Sequence, residues 1–274
     1  MMKVLLISAV FVLSLYSIMV VFSTPKSERN WAEDQAVPAN ISVDSNQVKI
    51  KNIRNFLYRS PNDFDAAYYD QQFNLDELET AWFIVEPFGK FGVAHTLVSF
   101  GFKDGSYLAI SVEVHREKGE EFGVLKGMLR QFELVYIIGS EEDLIKLRTN
   151  YRKNEVKLYP INADKQKLQV VFLDMLNRAQ GLSINPEFYN TITSNCISNL
   201  VKHVRKFSDK NIPKWDISYL LPEYSDKVAF DLGLIETNLS IDEARQHFSI
   251  TSKAQNCSND ENFSVCIRRD LFTK

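Results

Sequence analysis

An α+β fold, an antiparallel sheet packed with helices and preceded by one membrane-spanning helix, is what this 274-residue sequence predicts. Three observations carry it. An apolar run stands near the N-terminus, the first half of the remainder is rich in β-branched and aromatic segments separated by turn residues, and the second half places apolar residues at helical spacing. Strands followed by helices, rather than alternating with them, favour α+β over a wound parallel sheet.

The apolar run is Val4 to Phe22, interrupted only by serines and Tyr16. At about 1.5 Å rise per residue its ~19 residues span roughly 28 Å, the hydrocarbon thickness of a bilayer. It is long for a signal peptide and lacks a clean small-x-small cleavage site, so residues 1–22 read as an uncleaved anchor in preference to a removed signal. The flanking charges Lys3, Lys26 and Arg29 orient it only weakly, and export of the body is the expected outcome. Residues 23–46 are polar and aperiodic and read as a linker; residues 47–274 show no internal repeat and read as one domain.

Within the body, strands are expected at 81–85, 93–102, 107–114 and 132–138. Phe102-Lys103-Asp104-Gly105-Ser106 is a hairpin turn, so the second and third of these strands pair antiparallel. Leu168, Phe172, Met175 and Leu176 keep a helical period behind Asp164, a fitting N-cap, and Ser240 with Glu243 forms a capping box before a later helix. Leu200, Val201 and Val204 follow Ser194-Asn195-Cys196-Ile197 at helical spacing, which puts Cys196 in the first turn of a helix.

Composition excludes several function classes. Lys and Arg number 32 against 35 Asp and Glu, leaving no basic excess for a nucleic-acid backbone. Phosphate-loop and dinucleotide glycine patterns are missing, and no Cys-x-x-Cys or His-x-x-x-His cluster supplies a zinc site, so neither cofactor nor metal is expected.

Three cysteines leave one unpaired if two bond. Cys257 and Cys266 sit in a polar C-terminal stretch at a spacing that allows a small loop-closing disulfide, which leaves Cys196 free. A free cysteine is commonly a buried small hydrophobe, but at a helix start the unsatisfied N–H groups and the dipole favour the thiolate. His203 stands too far along the same helix to be its base, His247 has no polar company, and His115 ends a strand among charged residues. His95 interrupts the apolar strand Val93-Ala94-His95-Thr96-Leu97-Val98, where a polar side chain needs a partner. Glu113 is the nearest carboxylate on the partner strand. A three-residue turn puts Glu113 opposite His95 and a two-residue turn puts Val114 there, and the sequence leaves the register open.

With His95 on a strand and a later Asn195-Cys196 opening a helix, the chain resembles the circularly permuted NlpC-like thiol enzymes, including the lecithin retinol acyltransferase relatives. It is more similar still to the bacterial family described as the Lnb N-terminal periplasmic domain, linked to lipoprotein N-acyl transfer. The matching segments are Arg54-Asn55-Phe56, Ala94-His95-Thr96 with Ser99-Phe100, Ser111-Val112-Glu113, Arg116 to Glu120, Arg130-Gln131-Phe132-Glu133, Leu147-Arg148-Thr149, and Phe188-Tyr189-Asn190 leading to Asn195-Cys196. The resemblance implies a permuted papain-like fold and a Cys-His acyltransferase. Cys196 would be the nucleophile, His95 the base and Glu113 its orienter; Asn195 would assist at an oxyanion, and Arg54, Arg116 and Arg130 would contact a phosphate unless they serve as structural ion pairs. It also implies a phospholipid donor, a lipoprotein acceptor, and an inner-membrane protein whose body faces the periplasm. Two other classes fit the residues: a cysteine hydrolase of envelope amide, peptide or lipid ester bonds, and a non-enzymatic envelope domain.

Overall fold

The computed structural model describes residues 23–271 except Lys90, together with Ile7, Phe11, Ser14 and Tyr16, so the expected membrane-spanning run lies almost wholly outside the described residues. Among the described residues no helix is long and apolar enough to cross a membrane.

Among the described residues, ten strands and eight α-helices follow one another. The strands are β1 (Asn40–Asp44), β2 (Gln47–Arg54), β3 (Leu57–Ser60), β4 (Asp63–Asp65), β5 (Tyr68–Asn74), β6 (Leu78–Pro87), β7 (Ala94–Phe102), β8 (Tyr107–His115), β9 (Glu133–Gly139) and β10 (Lys157–Pro160). The helices are α1 (Val124–Met128), α2 (Glu141–Lys146), α3 (Lys165–Ile184), α4 (Cys196–Phe207), α5 (Ser225–Asp231), α6 (Ile241–His247), α7 (Thr251–Asn256) and α8 (Phe263–Cys266), and a π-turn, Leu147–Tyr151, continues α2. The large sheet runs β1-β2-β9-β8-β7-β6-β10 with β5 also on β2, while β3 and β4 form a separate hairpin.

Central strands β6 to β9 read as near-continuous apolar runs because both faces are covered. On one face Phe100 of β7 meets Phe172 of α3 with ring centroids 4.9 Å apart. On the other, Arg148 of the π-turn reaches Ser111 of β8. The helix behind Asp164 buries the expected Leu168, Phe172, Met175 and Leu176, and Asp164 accepts from the Lys167 amide at 2.8 Å.

Two expectations need correction. The sheet is mixed rather than wholly antiparallel, because β2 meets β9 in parallel at Arg54 and Gly139. The stretch 23–46 is not a free linker from Lys26 onward. The Lys26 amide donates to Glu133 at 3.1 Å, Arg29 pairs with Glu133 at 2.6 Å and Glu117 at 2.9 Å, Trp31 stacks on His115, and β1 pairs along β2. Its docking relies on ion pairs, one indole and an edge strand that is mostly exposed, none of which leaves a hydropathy pattern.

Candidate functional site

The β7–β8 hairpin supplies the first half of the site. Its turn has three loop residues: the Phe102 amide donates to the Ser106 carbonyl at 2.9 Å, and Gly105 takes φ 82°, a left-handed conformation suited to glycine. The ladder pairs Gly101 with Tyr107 and Leu97 with Ser111. Continued in that register, it sets Glu113 opposite His95, the arrangement belonging to the longer of the two turns.

Strand alternation then puts His95, Ser111 and Glu113 on one side of the sheet. His95 Nε2 lies 2.7 Å from Ser111 Oγ and 3.3 Å from Glu113 Oε1, and Ser111 Oγ donates to the same carboxylate oxygen at 2.8 Å. His95 thus reaches Glu113 both directly and through a hydroxyl.

A further partner of His95 comes from the start of α4. Asn195 is the N-cap: its side-chain oxygen accepts from the Ser198 amide at 2.8 Å and Ser198 Oγ accepts from the Asn195 amide at 2.9 Å, closing a capping box. Cys196 is the first helical residue, a free thiol 6% exposed. It and His95 interact through a side-chain hydrogen bond.

Electrostatics favour the charged pair. Burial opposes protonation of His95, yet the Glu113 charge and the Cys196 hydrogen bond outweigh it and bring its pKa to about 9. Burial likewise pushes the Cys196 thiol up, but the hydrogen bond and charge of His95, with Thr96 acting in the same sense, leave it below its ordinary value. Glu113 is penalised by burial and stabilised by His95 and Arg148, with a net pKa well below the usual carboxylate range. The set is arranged to hold a thiolate beside an imidazolium.

Behind it stands a buried charge array that the sequence reading did not assign. Arg148 Nη2 lies 2.9 Å from Glu113 Oε1, and its Nε lies 2.7 Å from Glu86 Oε2. Glu86, fully buried, pairs with His95 across the β6–β7 ladder and also accepts from Asn154 at 2.7 Å. Arg148 fixes Glu113 and is itself held by Glu86 and by the Leu144 carbonyl. Ser111 and Arg148 both lay within segments that carry the family resemblance. Glu86 had only the weaker signal of a carboxylate directly after an apolar run.

A cavity of about 730 Å³ opens onto Cys196, His95 and Glu113. Phe64, Phe88, Val112, Phe122, Leu147 and Leu221 make much of its wall, with Tyr189, Asn195 and Arg116 as polar members. Such a space accepts an apolar ligand with a few directing polar groups.

The other expected site residues are placed as follows. Asn195 Nδ2 donates to the carbonyls of Thr191, at 2.8 Å, and Tyr219, at 2.5 Å, so both ends of its amide serve the helix cap and it has no spare donor for an oxyanion. Arg54 is buried in a two-pronged pair with Asp143, at 2.9 and 2.7 Å, and is absent from the cavity wall. Arg116 lines the cavity while pairing with Asp34 at 2.8 Å. Arg130 lies over the Phe188 ring and borders a separate polar cavity. Cys257 and Cys266 are disulfide-bonded with Cα atoms 5.9 Å apart. His203 is buried between Tyr136 and Asp174, and His247 bonds the Leu271 carbonyl. His115 is not a solvated turn residue: it stacks on Trp31, and burial lowers its pKa to about 4. Among the described residues, no three His, Cys, Asp or Glu are grouped to hold a metal ion.

Fold and site together define an α+β domain with a buried thiol and a half-buried imidazole and carboxylate in series at the wall of a large cavity. The model of the family described as the Lnb N-terminal periplasmic domain matches residues 64–246, and the chain belongs to that family. The matched part is accordingly a periplasmic domain of an envelope protein. No curated protein and no solved structure matches the chain.

Proposed function

We propose that the protein is a cysteine acyltransferase of the cell envelope, moving an acyl chain from a phospholipid through a Cys196 thioester to the N-terminus of a lipoprotein. The observation that carries this reading is the hydrogen-bonded series Cys196, His95, Ser111 and Glu113 at the wall of a cavity sized for an acyl chain. Its strand-borne histidine and helix-opening cysteine suit a permuted NlpC-like scheme.

In this mechanism the Cys196 thiolate attacks the ester carbonyl and the first-turn N–H groups of α4 receive the oxyanion. As the tetrahedral species collapses, the carbon–oxygen bond breaks and imidazolium His95 protonates the departing lysophospholipid alkoxide. A neutral amine then attacks the thioester, gives its proton to His95 and expels the thiolate, forming an amide. Glu113 and Ser111 keep His95 oriented throughout, and Arg148 keeps Glu113 in place.

The N-terminal run would act as an inner-membrane anchor, with the body in the periplasm. Three residues, 23–25, separate it from the docked Lys26, a span of about 10 Å at full extension, far less than a linker through residue 46 would give. Such a short tether suits a lipid substrate.

Incubation of the full-length protein with phospholipid, followed by mass spectrometry, tests the reading. An acyl adduct on Cys196 that passes to a diacylglyceryl peptide is expected. An adduct released only to water would make the protein a lipid hydrolase, and an unaltered thiol alongside normal in vivo function of Cys196→Ala would remove the nucleophile altogether.

A further inference from the structure

Helix α1 presents an arrangement that packing does not explain. Its backbone is fastened to the turn that leads into Cys196: Thr191 Oγ1 donates to the Val124 carbonyl at 3.0 Å and Asn190 Nδ2 to the Met128 carbonyl at 3.3 Å. Gly127 sits so close to that turn that a Cβ would lie 2.4 Å from Thr191 Oγ1. The helix is thus held rigidly by its polar groups. Its apolar side chains nevertheless point outward, with Leu125 71%, Val124 48%, Leu129 40% and neighbouring Phe122 39% exposed. A fixed cluster of large apolar groups in water marks an interaction surface.

Chain continuity indicates what covers it. Ser23 and Thr24, the first residues after the apolar run, border a polar cavity together with Arg130 and Gln131, which directly follow Leu129. Tyr16, within the run, donates to the Met128 carbonyl at 3.4 Å. The chain therefore leaves its apolar run beside the C-terminal end of α1, next to exposed Leu129. Phe122 and Val124 also line the cavity that holds Cys196.

We infer that α1 and Phe122 form an interfacial element that seats in the bilayer surface beside the N-terminal run and sets the mouth of the Cys196 cavity on the lipid. The occupant is the headgroup and upper acyl region of a phospholipid bilayer, which takes short apolar clusters flanked by polar and basic groups. Lys118, Lys126 and Arg130 supply the basic flank. This docking rests on the proposed membrane anchor and not on what Cys196 does chemically; exposure, polar fastening and chain path carry it.

The test places a reporter on the surface. Full-length Leu125→Trp is reconstituted in phosphatidylcholine vesicles whose acyl chains carry bromine, and its fluorescence is compared with that of the wild type and of Val43→Trp on β1. The added tryptophan at 125 should be quenched about threefold or more beyond that at 43, as expected of a side chain seated among acyl chains. Equal quenching at the two positions would overturn the inference. So would a blue-shifted but unquenched signal at 125, which would mean that protein, either the chain's own apolar run or a partner, covers the helix. Leu129→Trp, checked for folding by circular dichroism, gives the same reading if the first variant misfolds.

Discussion

Two histidines of this molecule, half-buried His95 and buried His203, each bond a carboxylate, and they behave in opposite ways. His95 meets Glu113 and is held charged, with its pKa raised to about 9; His203 meets Asp174 at 2.6 Å, yet burial leaves its pKa below the ordinary value. The difference lies in the remaining partners. Asp174 spends its charge on Lys206 as well as on His203, and the other nitrogen of His203 faces the neutral Tyr136 hydroxyl. For His95 the other partner is a thiol that can itself become negative, and both acids of the series favour its protonation. A carboxylate beside an imidazole is thus not enough to mark a base; the other charges and partners around both groups matter as well.

Substitution should separate the two sites most sharply. Cys196→Ala should abolish the acyl adduct, and His95→Gln should slow its formation by about 10²–10⁴-fold, the usual worth of a positioned base. His203→Gln should alter the rate by no more than about threefold while lowering stability by about 1–3 kcal/mol through lost buried hydrogen bonds. Stopped-flow or quenched acylation and denaturant titration read the two effects; a rate loss in His203→Gln equal to that in His95→Gln would dissolve the contrast.

The charge array behind His95 gives the next effect. Arg148→Met strands Glu86 and Glu113 without their buried cation, a loss of about 3–5 kcal/mol in unfolding free energy. Adding Glu86→Gln should recover part of it. No recovery in urea melts would mean that Arg148 acts through packing rather than charge.

pH offers a subtler separation. The acylation rate should rise as the thiol ionises, below the ordinary thiol range, and fall as His95 deprotonates near pH 9; His203→Gln should leave this profile in place, and His95→Gln should erase its alkaline limb. Stability should carry opposite signs at the two sites. The raised pKa of His95 contributes stability present below its unfolded value of about 6.5 and lost as pH climbs toward 9. The lowered pKa of His203 contributes stability present above that unfolded value and lost as pH falls below it. Thermal melts of the two Gln variants against the wild type across this range would show the slopes.

The smallest effect belongs to Ser111→Ala. Direct contact at 3.3 Å between His95 and Glu113 persists, so a rate loss of only about 5–10-fold is expected, the worth of one hydrogen bond. A loss as large as that of His95→Gln would show that the hydroxyl, and not the direct contact, orients the ring.

The sequence made the site's covalent skeleton readable because its signals are local. A polar residue in an apolar strand, Asp-Gly in a turn and Asn-Cys before helical spacing are each visible within a few positions. The hairpin register could be narrowed to two choices, and the backbone of the turn chose between them. Glu86 went unnoticed, and Ser111 and Arg148 stood in matching segments without a role, because their roles depend on pairing across β6, β7, β8 and the π-turn. Nothing in the spacing of Arg148 announces a cation between two carboxylates from different strands. The same reason hid the docking of 26–44, where Arg29 finds Glu133 and Trp31 finds His115. Asn195 misled in the other direction, since a side chain that suits an oxyanion suits a helix cap equally well.

The β7–β8 hairpin bears on how the molecule comes to be reactive. His95, Ser111 and Glu113 all belong to one antiparallel unit with a tight turn, a structure that closes within microseconds of becoming free to fold. Cys196 belongs to a helix much farther along the chain and joins them only through long-range docking, which is the slow part of assembly. During synthesis and export the thiol therefore spends its time apart from the imidazole that lowers its pKa, and it behaves as an ordinary, weakly nucleophilic cysteine. On the proposed chemistry, reactivity would come only once α4 docks on the hairpin, which would spare the unfinished chain wayward reactions of its thiol.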